Sequence, residues 1–356
     1  MRWDNQRVDE PGGPALLPMQ NLVRTVRTPE FEGVTFHEVA AKTALNRVPQ
    51  ASNMPFKWTV NPTRGCLHQC RYCYSRKTHE YLDFNSGRDF DTQIVVKTNV
   101  AEVLRAEVAK PGWRREHVAL GTNTDPYQRA EGRYRLMPGI ITALAESGTP
   151  FSILTKGPLL KRDLPLLQEA AKSVPVSVAV SLAIMDTGLQ QKVEPGTPDP
   201  RARLNLIKAI TEAGLKCNVL AMPILPWLTD SAEHLDELHR ELAQAGAGWV
   251  TTGALHLRPG AREWFMQWLK QEHPALVPRY RELYRGARGG FTTYACSEYK
   301  KWLGQQAASA RRRHGFLDRA ETTWRGRSSP DESTDEQQPQ LVPLDIPSGP
   351  AQPSLF

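Results

Sequence analysis

Cys66, Cys70 and Cys73 lie within eight residues of one another in the stretch 61–76, NPTRGCLHQCRYCYSR. Spacers this short let a single tight loop turn three sulfurs inward, an arrangement suited to metal binding. A closed structural zinc site takes four ligands, and His68 or His79 could in principle supply the fourth. The usual zinc pattern places a second pair of thiols further along the chain, and none follows here. The other reading is a four-iron four-sulfur (4Fe-4S) cluster held by three thiolates, which leaves one iron open to a substrate or cofactor.

Such a loop has to be presented by the elements around it. The segment 55–60 (PFKWTV) alternates as a strand does and runs directly into Asn61, Pro62, Gly65 and the cysteines, so the loop is expected at the C-terminal end of a first strand. After a short extra strand at 94–98 and a helix at 100–109, the pattern becomes regular. Strands are expected at 117–121, 151–155, 176–184, 217–224 and 249–257. Helices are expected at 137–147, 163–172, 200–213, 232–245 and 261–270. About six strand-then-helix units with nearly continuous apolar strands indicate an α/β fold whose parallel sheet is covered on both sides. A doubly wound sheet is one solution. An open partial (β/α)6 barrel of the TIM type fits better, because in a barrel the working residues collect on the loops after the strands, where this chain keeps its polar motifs.

Around this barrel, taken as residues 51–275, the other segments read differently. Residues 1–50 show little periodicity and are expected to form an irregular N-terminal arm. Residues 276–320 carry helical patterns at 279–286 and 292–313, the second ending in Arg311, Arg312, Arg313 and His314. A cation run there matches a helix C-terminal dipole, with phosphate binding as the sharper alternative. Residues 321–356 are rich in Ser, Pro, Gln and acids and are expected to be disordered.

The chain of 356 residues has a net charge of +7. Residues 321–356 hold six acids and two arginines, a net −4, so residues 1–320 carry +11. That balance favours polyanionic partners such as nucleic acid through counterion release. Five cysteines, with Cys217 and Cys296 scattered beyond the triad, are too few for a disulfide framework. The sequence has no run of eighteen apolar residues and no apolar N-terminal signal, which points to the cytoplasm and away from membranes.

With these motifs in place, a resemblance can be stated. The CxxxCxxC loop with Tyr72 before its last cysteine resembles the signature of the radical S-adenosylmethionine (SAM) superfamily. The segments CRYCYSR, GTNTDPYQ (121–128), Thr155 with Lys156, Ser181, EPGT (194–197) with Arg203, and MPILP (222–226) resemble, in order, the spore photoproduct lyase and DNA-repair-photolyase-like branch. The likeness covers roughly residues 55–270.

The resemblance implies a 4Fe-4S cluster on Cys66, Cys70 and Cys73, with the open iron chelating the methionine part of SAM. It implies that the backbone or ring of Tyr72 meets the adenine, that Lys156 faces the SAM carboxylate, and that Ser181 and Asn123 hydrogen-bond the ribose or methionine portion. Asp125 either orients the amino group or caps the turn before Pro126. Glu194 and Arg203 either pair with each other or contact SAM. Tyr74 becomes a candidate catalytic residue, as a hydrogen-atom relay. The expected reaction is reductive SAM cleavage to a 5′-deoxyadenosyl radical, fed by a flavodoxin or ferredoxin and acting on an unidentified substrate, with nucleic acid leading. A peptide, a tRNA or a small metabolite is the alternative substrate, and a zinc-stabilised binding protein is the alternative class. One departure matters: spore photoproduct lyase uses a cysteine thiol to return a hydrogen atom, and the matching segment here reads Gly121, Thr122, Asn123. Threonine has a strong O–H bond and cannot take that role, so repair of the spore lesion itself is not expected. Cys217, at the start of a strand, reads as a small buried residue.

Overall fold

A computed structural model describes residues 21–49, 54–286 and 289–316. Among them are eleven strands: β1 (Leu22–Val26), β2 (Thr35–Val39), β3 (Leu45–Arg47), β4 (Trp58–Val60), β5 (Thr63–Arg64), β6 (Gln93–Lys97), β7 (Val118–Leu120), β8 (Phe151–Thr155), β9 (Val176–Ser181), β10 (Cys217–Ile224) and β11 (Trp249–Ala254). Seven form one sheet in the order β11-β10-β9-β8-β7-β4-β3. The six from β4 to β11 are parallel and in chain order, and β3 adds an antiparallel edge. The sheet does not close on itself, so the fold is the expected open partial (β/α)6 barrel. Its strands are apolar because helices cover one face and side chains fill the other. Val60, Val118, Phe151, Ile153, Val178, Val180, Val219 and Val250 are all fully buried.

The second sheet is a correction. The described part of the expected irregular arm holds β1, β2 and β3, and the first two join β6 and β5 in the order β1-β2-β6-β5. Alternation is obscured in β2 because it carries His37 and Glu38 among its apolar residues. Both are satisfied across the sheet: Glu38 accepts from Arg24 Nε at 2.5 Å and from Tyr134 Oη at 3.1 Å, and His37 Nε2 meets Gln93 Oε1 at 2.8 Å. The extra strand expected at 94–98 is β6. It pairs antiparallel with β5, two residues before Cys66, and so anchors the cysteine loop.

The final helix also starts later than its pattern suggested, at Ser297 and not at Thr292. Residues before it run extended, with Tyr294 bridged to His256 and Leu257 N donating to Thr293 O at 2.8 Å. The helix Ser297–Arg313 packs on β11 and covers that edge of the sheet through Leu303, Ala307 and Ala310. Its cation run is held to the body. Arg311 donates to Thr252 Oγ1 at 3.1 Å, and Arg313 and His314 reach Asp236 at 3.2 and 2.9 Å. The N-terminal residues 1–20 and the tail expected to be disordered lie outside the described residues.

Gly121, at the end of β7, has φ +87°, and a Cβ there would lie 1.9 Å from the Leu154 carbonyl oxygen. Only glycine permits this approach between neighbouring strand ends. Gly121→Ala is therefore expected to destabilise the fold by roughly 3 kcal/mol, read as a lowered denaturant midpoint.

Candidate metal and cofactor centre

The cysteine loop is tied down on three sides. Cys66 N donates to Phe90 O at 2.9 Å. Gln128, fully buried, accepts from Leu67 N at 2.8 Å and donates to Thr63 Oγ1 and Gly65 O at 2.9 and 3.2 Å. Arg71 N donates to Val193 O, and Gly196 N to His68 O, which straps the loop to the segment after β9. A Cβ on Gly196 would sit 1.9 Å from the Leu67 carbonyl oxygen, so this strap requires glycine.

All three cysteines are free thiols, Cys66 and Cys70 buried and Cys73 half-buried. Burial raises each thiol pKa. Cys66 is pushed well above the ordinary value, with Asp125 and Cys70 adding to the effect, Cys70 is pushed up to about 12, and Cys73 is raised less. The two histidines weighed as fourth ligands are engaged elsewhere. His79 Nε2 lies 2.8 Å from Gln93 O with its ring against Phe84 and Phe90. His68 Nδ1 lies 3.4 Å from Asp125 Oδ2, and burial lowers its pKa to about 4 against the pull of that carboxylate. Among the described residues no three His, Cys, Asp or Glu side chains gather as ligands of one ion. Three soft donors on one backbone-pinned loop suit a cluster that distributes its ligands over several irons better than they suit a single zinc.

Two residues behind this loop were missed from the sequence. Arg76 is fully buried and donates from Nε and Nη2 to the Cys70 carbonyl at 3.2 and 3.1 Å, from Nη1 to Gly87 O at 2.8 Å, and to both Asp91 oxygens at 2.8 and 3.1 Å. Its guanidinium also lies 4.8 Å from the ring centre of Trp264 and 5.2 Å from that of Phe90. Burial lifts the Asp91 pKa to about 6 even beside this cation. The available signal was an arginine three residues after the last cysteine with an acid fifteen further on, a spacing without helical or strand meaning. Arg76→Gln is expected to lower iron retention by about 10–100-fold, the usual cost of removing a group that orients a ligand, measured as iron and sulfide content after desalting.

The strand ends supply the rest of the site. Asp125 resolves as a cap. Its carboxylate accepts from Tyr127 N at 2.8 Å and from Thr155 Oγ1 and Lys156 N at 2.6 Å each, joining the loop after β7 to the end of β8. Glu194 and Arg203 resolve as a pair. Arg203 Nη2 lies 2.5 Å from Glu194 Oε2, and its remaining donors reach Thr197 Oγ1, Pro198 O and Ser181 O. Tyr72 donates its hydroxyl to the other Glu194 oxygen. Burial alone would raise the Glu194 pKa, but Arg203, Lys156 and the Tyr72 hydroxyl outweigh it and hold the carboxyl near 2.

Lys156, Ser181 and Asn123 are left with unused side-chain donors. The Lys156 ammonium lies 5.9 Å from the Tyr72 ring centre and has no hydrogen bond or ion pair among the described residues. Burial would strip its proton, yet the Cys70 sulfur and the Glu194 carboxylate keep its pKa above the ordinary value. The Ser181 hydroxyl and the Asn123 amide likewise have no partner among the described residues, although Ser181 is buried. Three unspent polar groups thus stand at the ends of the neighbouring strands β7, β8 and β9, on the side where the thiol loop follows β4. Tyr74, next after Cys73, is half-exposed and donates its hydroxyl to the Thr122 carbonyl. Cys217 is buried at the opposite end of β10, as expected.

Similarity to known proteins bears on the family and the fold. A family model described as the Radical SAM superfamily matches residues 60–242. An uncharacterized protein of Mycobacterium tuberculosis is 62% identical over 314 residues, covering 86% of this chain and 91% of that protein. An uncharacterized protein of Methanocaldococcus jannaschii is 26% identical over 195 residues, covering 54% of this chain and 69% of that protein. Among solved structures, spore photoproduct lyase complexed with dinucleoside spore photoproduct superposes with a TM-score of 0.58 at 16% identity over 79% of each chain. A mutant of that lyase with bound AdoMet and the same dinucleoside gives 0.59 at 15% identity, again over 79% of each chain.

Proposed function

The chain belongs to the radical SAM superfamily, and from that premise we propose that it binds a 4Fe-4S cluster and SAM at the barrel mouth and cleaves SAM reductively to a 5′-deoxyadenosyl radical. The observation that carries this reading is the set of unspent donors at three adjacent strand ends beside a loop of three thiols. Lys156 and Asn123 are partly buried and Ser181 is buried, and donors left unpaired at neighbouring strand ends are available to a charged ligand that would satisfy them.

In this reading Cys66, Cys70 and Cys73 hold the cluster, which when bound supplies the electron for sulfonium cleavage. Lys156 offers a fixed cation to the SAM carboxylate. Ser181 and Asn123 donate to its ribose or methionine part. Because the Tyr72 hydroxyl is committed to Glu194, only its backbone and ring remain to meet the adenine. Tyr74 stands beside the cluster loop as the hydrogen-atom relay. Thr122 occupies the position where the lyase has its thiol, which speaks against spore photoproduct as the substrate. The basic body and the dinucleoside bound by the structural relative favour nucleic acid as the substrate class. The electron would come from a flavodoxin or ferredoxin in the reducing cytoplasm. Among the described residues no helix is long and apolar enough to cross a membrane.

The test is anaerobic reconstitution with iron and sulfide, followed by dithionite and SAM, with chromatographic detection of 5′-deoxyadenosine. Formation of product supports the proposal, and a protein that takes up zinc in place of iron overturns it. Lys156→Met is expected to keep its iron while weakening SAM binding by about 10–100-fold, the cost of one charge-assisted contact in a buried site, read by equilibrium binding.

A further inference from the structure

At the rim of the barrel mouth, aromatic and cationic side chains alternate in a row. After β11 the chain runs extended through Leu255, His256, Leu257 and Arg258, with Leu255 and Leu257 buried and His256 and Arg258 exposed. In extended backbone, residues two apart share a face and lie about 7 Å from each other. His256 packs edge-on against Tyr294 with ring centres 4.7 Å apart. Arg258 lies 5.5 Å from the ring centre of Tyr74, and Lys300 lies 5.8 Å from that of Tyr294. The row therefore reads Lys300, Tyr294, His256, Arg258, Tyr74, and it ends on the residue that follows Cys73.

Both tyrosines are unusually open, with Tyr294 48% and Tyr74 49% exposed. Neither Arg258 nor Lys300 has an ion pair among the described residues, and Glu298 is the acid whose field reaches Lys300. Contiguous exposed rings flanked by unpaired cations are what a single-stranded polynucleotide uses: its bases stack on the rings while its phosphates meet the cations. A duplex keeps its base faces covered and cannot stack in this way.

We propose that this row is a docking track for a single strand of nucleic acid, leading an unpaired base to the mouth. The proposal rests on the functional reading above in taking the mouth as the reaction site. Its binding step needs neither SAM nor a reductant.

The test uses the full chain and fluorescein-labelled 20-mers of DNA and RNA, single-stranded and duplex, followed by anisotropy at several salt concentrations. The single strand is expected to bind at least about tenfold more tightly than the duplex of the same sequence. Tyr294→Ala should weaken single-strand binding about tenfold with little change in salt slope, while Tyr294→Phe should retain it. Lys300→Ala should lower the slope of log K against log salt by about one. Lys110→Ala, at the opposite end of the strands, should leave single-strand binding unchanged. Equal affinity for duplex and single strand, or an intact affinity in Tyr294→Ala, overturns the proposal. So does an equal loss in Lys110→Ala, because binding would then be a property of overall charge. The DNA and RNA arms tell which sugar the track accepts. A protein that binds strands as expected but forms no 5′-deoxyadenosine would overturn the reaction reading and leave the track standing.

Discussion

Cys70→Ala is expected to yield a folded protein that holds no intact cluster. The loop backbone survives this change, because Arg76 grips the Cys70 carbonyl and Gln128 grips Leu67, and neither contact involves the sulfur. What is lost is one of the three proposed metal donors on a loop that has no fourth thiol to offer. Iron and sulfide content should fall by more than the ~10–100-fold expected for an orienting residue such as Arg76, and 5′-deoxyadenosine formation should fall below detection. Cys217→Ala is the matched control. Its thiol is buried at the start of β10 with burial raising its pKa to about 12, so the substitution removes packing and a weak Sγ–H contact to Asn218 O at 3.7 Å. It should cost about 1 kcal/mol of stability and leave iron content intact. Full iron retention in Cys70→Ala would rule out the assignment of the three thiols.

The second large effect is expected at Arg203. Arg203 and Glu194 are both essentially inaccessible, at 0 and 1% exposure, and the guanidinium joins four partners from β9 through the segment after it. Arg203→Met leaves the Glu194 carboxylate buried without its counterion, which costs about 3–5 kcal/mol. Because Glu194 also receives the Tyr72 hydroxyl, the ring against the cluster loop should shift, and SAM affinity should fall along with stability. The double variant Glu194→Gln/Arg203→Met should recover part of the stability, since the buried carboxylate that Arg203 neutralised is gone as well.

The pH dependence of the same pair follows from the depressed Glu194 pKa. An acid whose folded-state pKa lies below its unfolded value adds stability that is complete above the unfolded value and is lost as pH falls through the folded one. The window here runs from about 4.5, the ordinary glutamate value, down to about 2. Denaturant unfolding across that window should show a shallower loss of stability in Glu194→Gln than in the parent protein. An identical pH profile would mean that the carboxylate is not held ionised by Arg203 and Lys156.

The sequence spoke clearly wherever one residue's chemistry or one period was enough. The strands at 151–155 and 217–224 were read to the residue because they are continuous apolar runs with turn signals on either side. The cysteine loop was legible from spacing alone, and the resemblance supplied Tyr72, Lys156, Ser181 and Asn123. β1 and β2 were not legible, since β2 hides its pattern behind His37 and Glu38, whose partners come from 14 residues back in the chain and from 56 and 96 residues onward. The roles of Arg76 and Asp91 escaped for the same reason: each acts through contacts that only the folded chain creates. Residues 292–296 were read as helix because local spacing cannot see that Tyr294 bridges to His256.

By itself, then, the sequence determined the α/β period, the places of the parallel strands along the chain and the three thiols, because hydrophobic periodicity and cysteine spacing are local properties. Tertiary structure decided which polar residues are spent and which remain available. Asp125, Glu194 and Arg203 looked as suited to a ligand as Lys156, Ser181 and Asn123, yet the first three are consumed by one another and by the strand ends they join. A buried polar group takes the nearest good partner, and which partner is nearest is fixed only when distant segments pack.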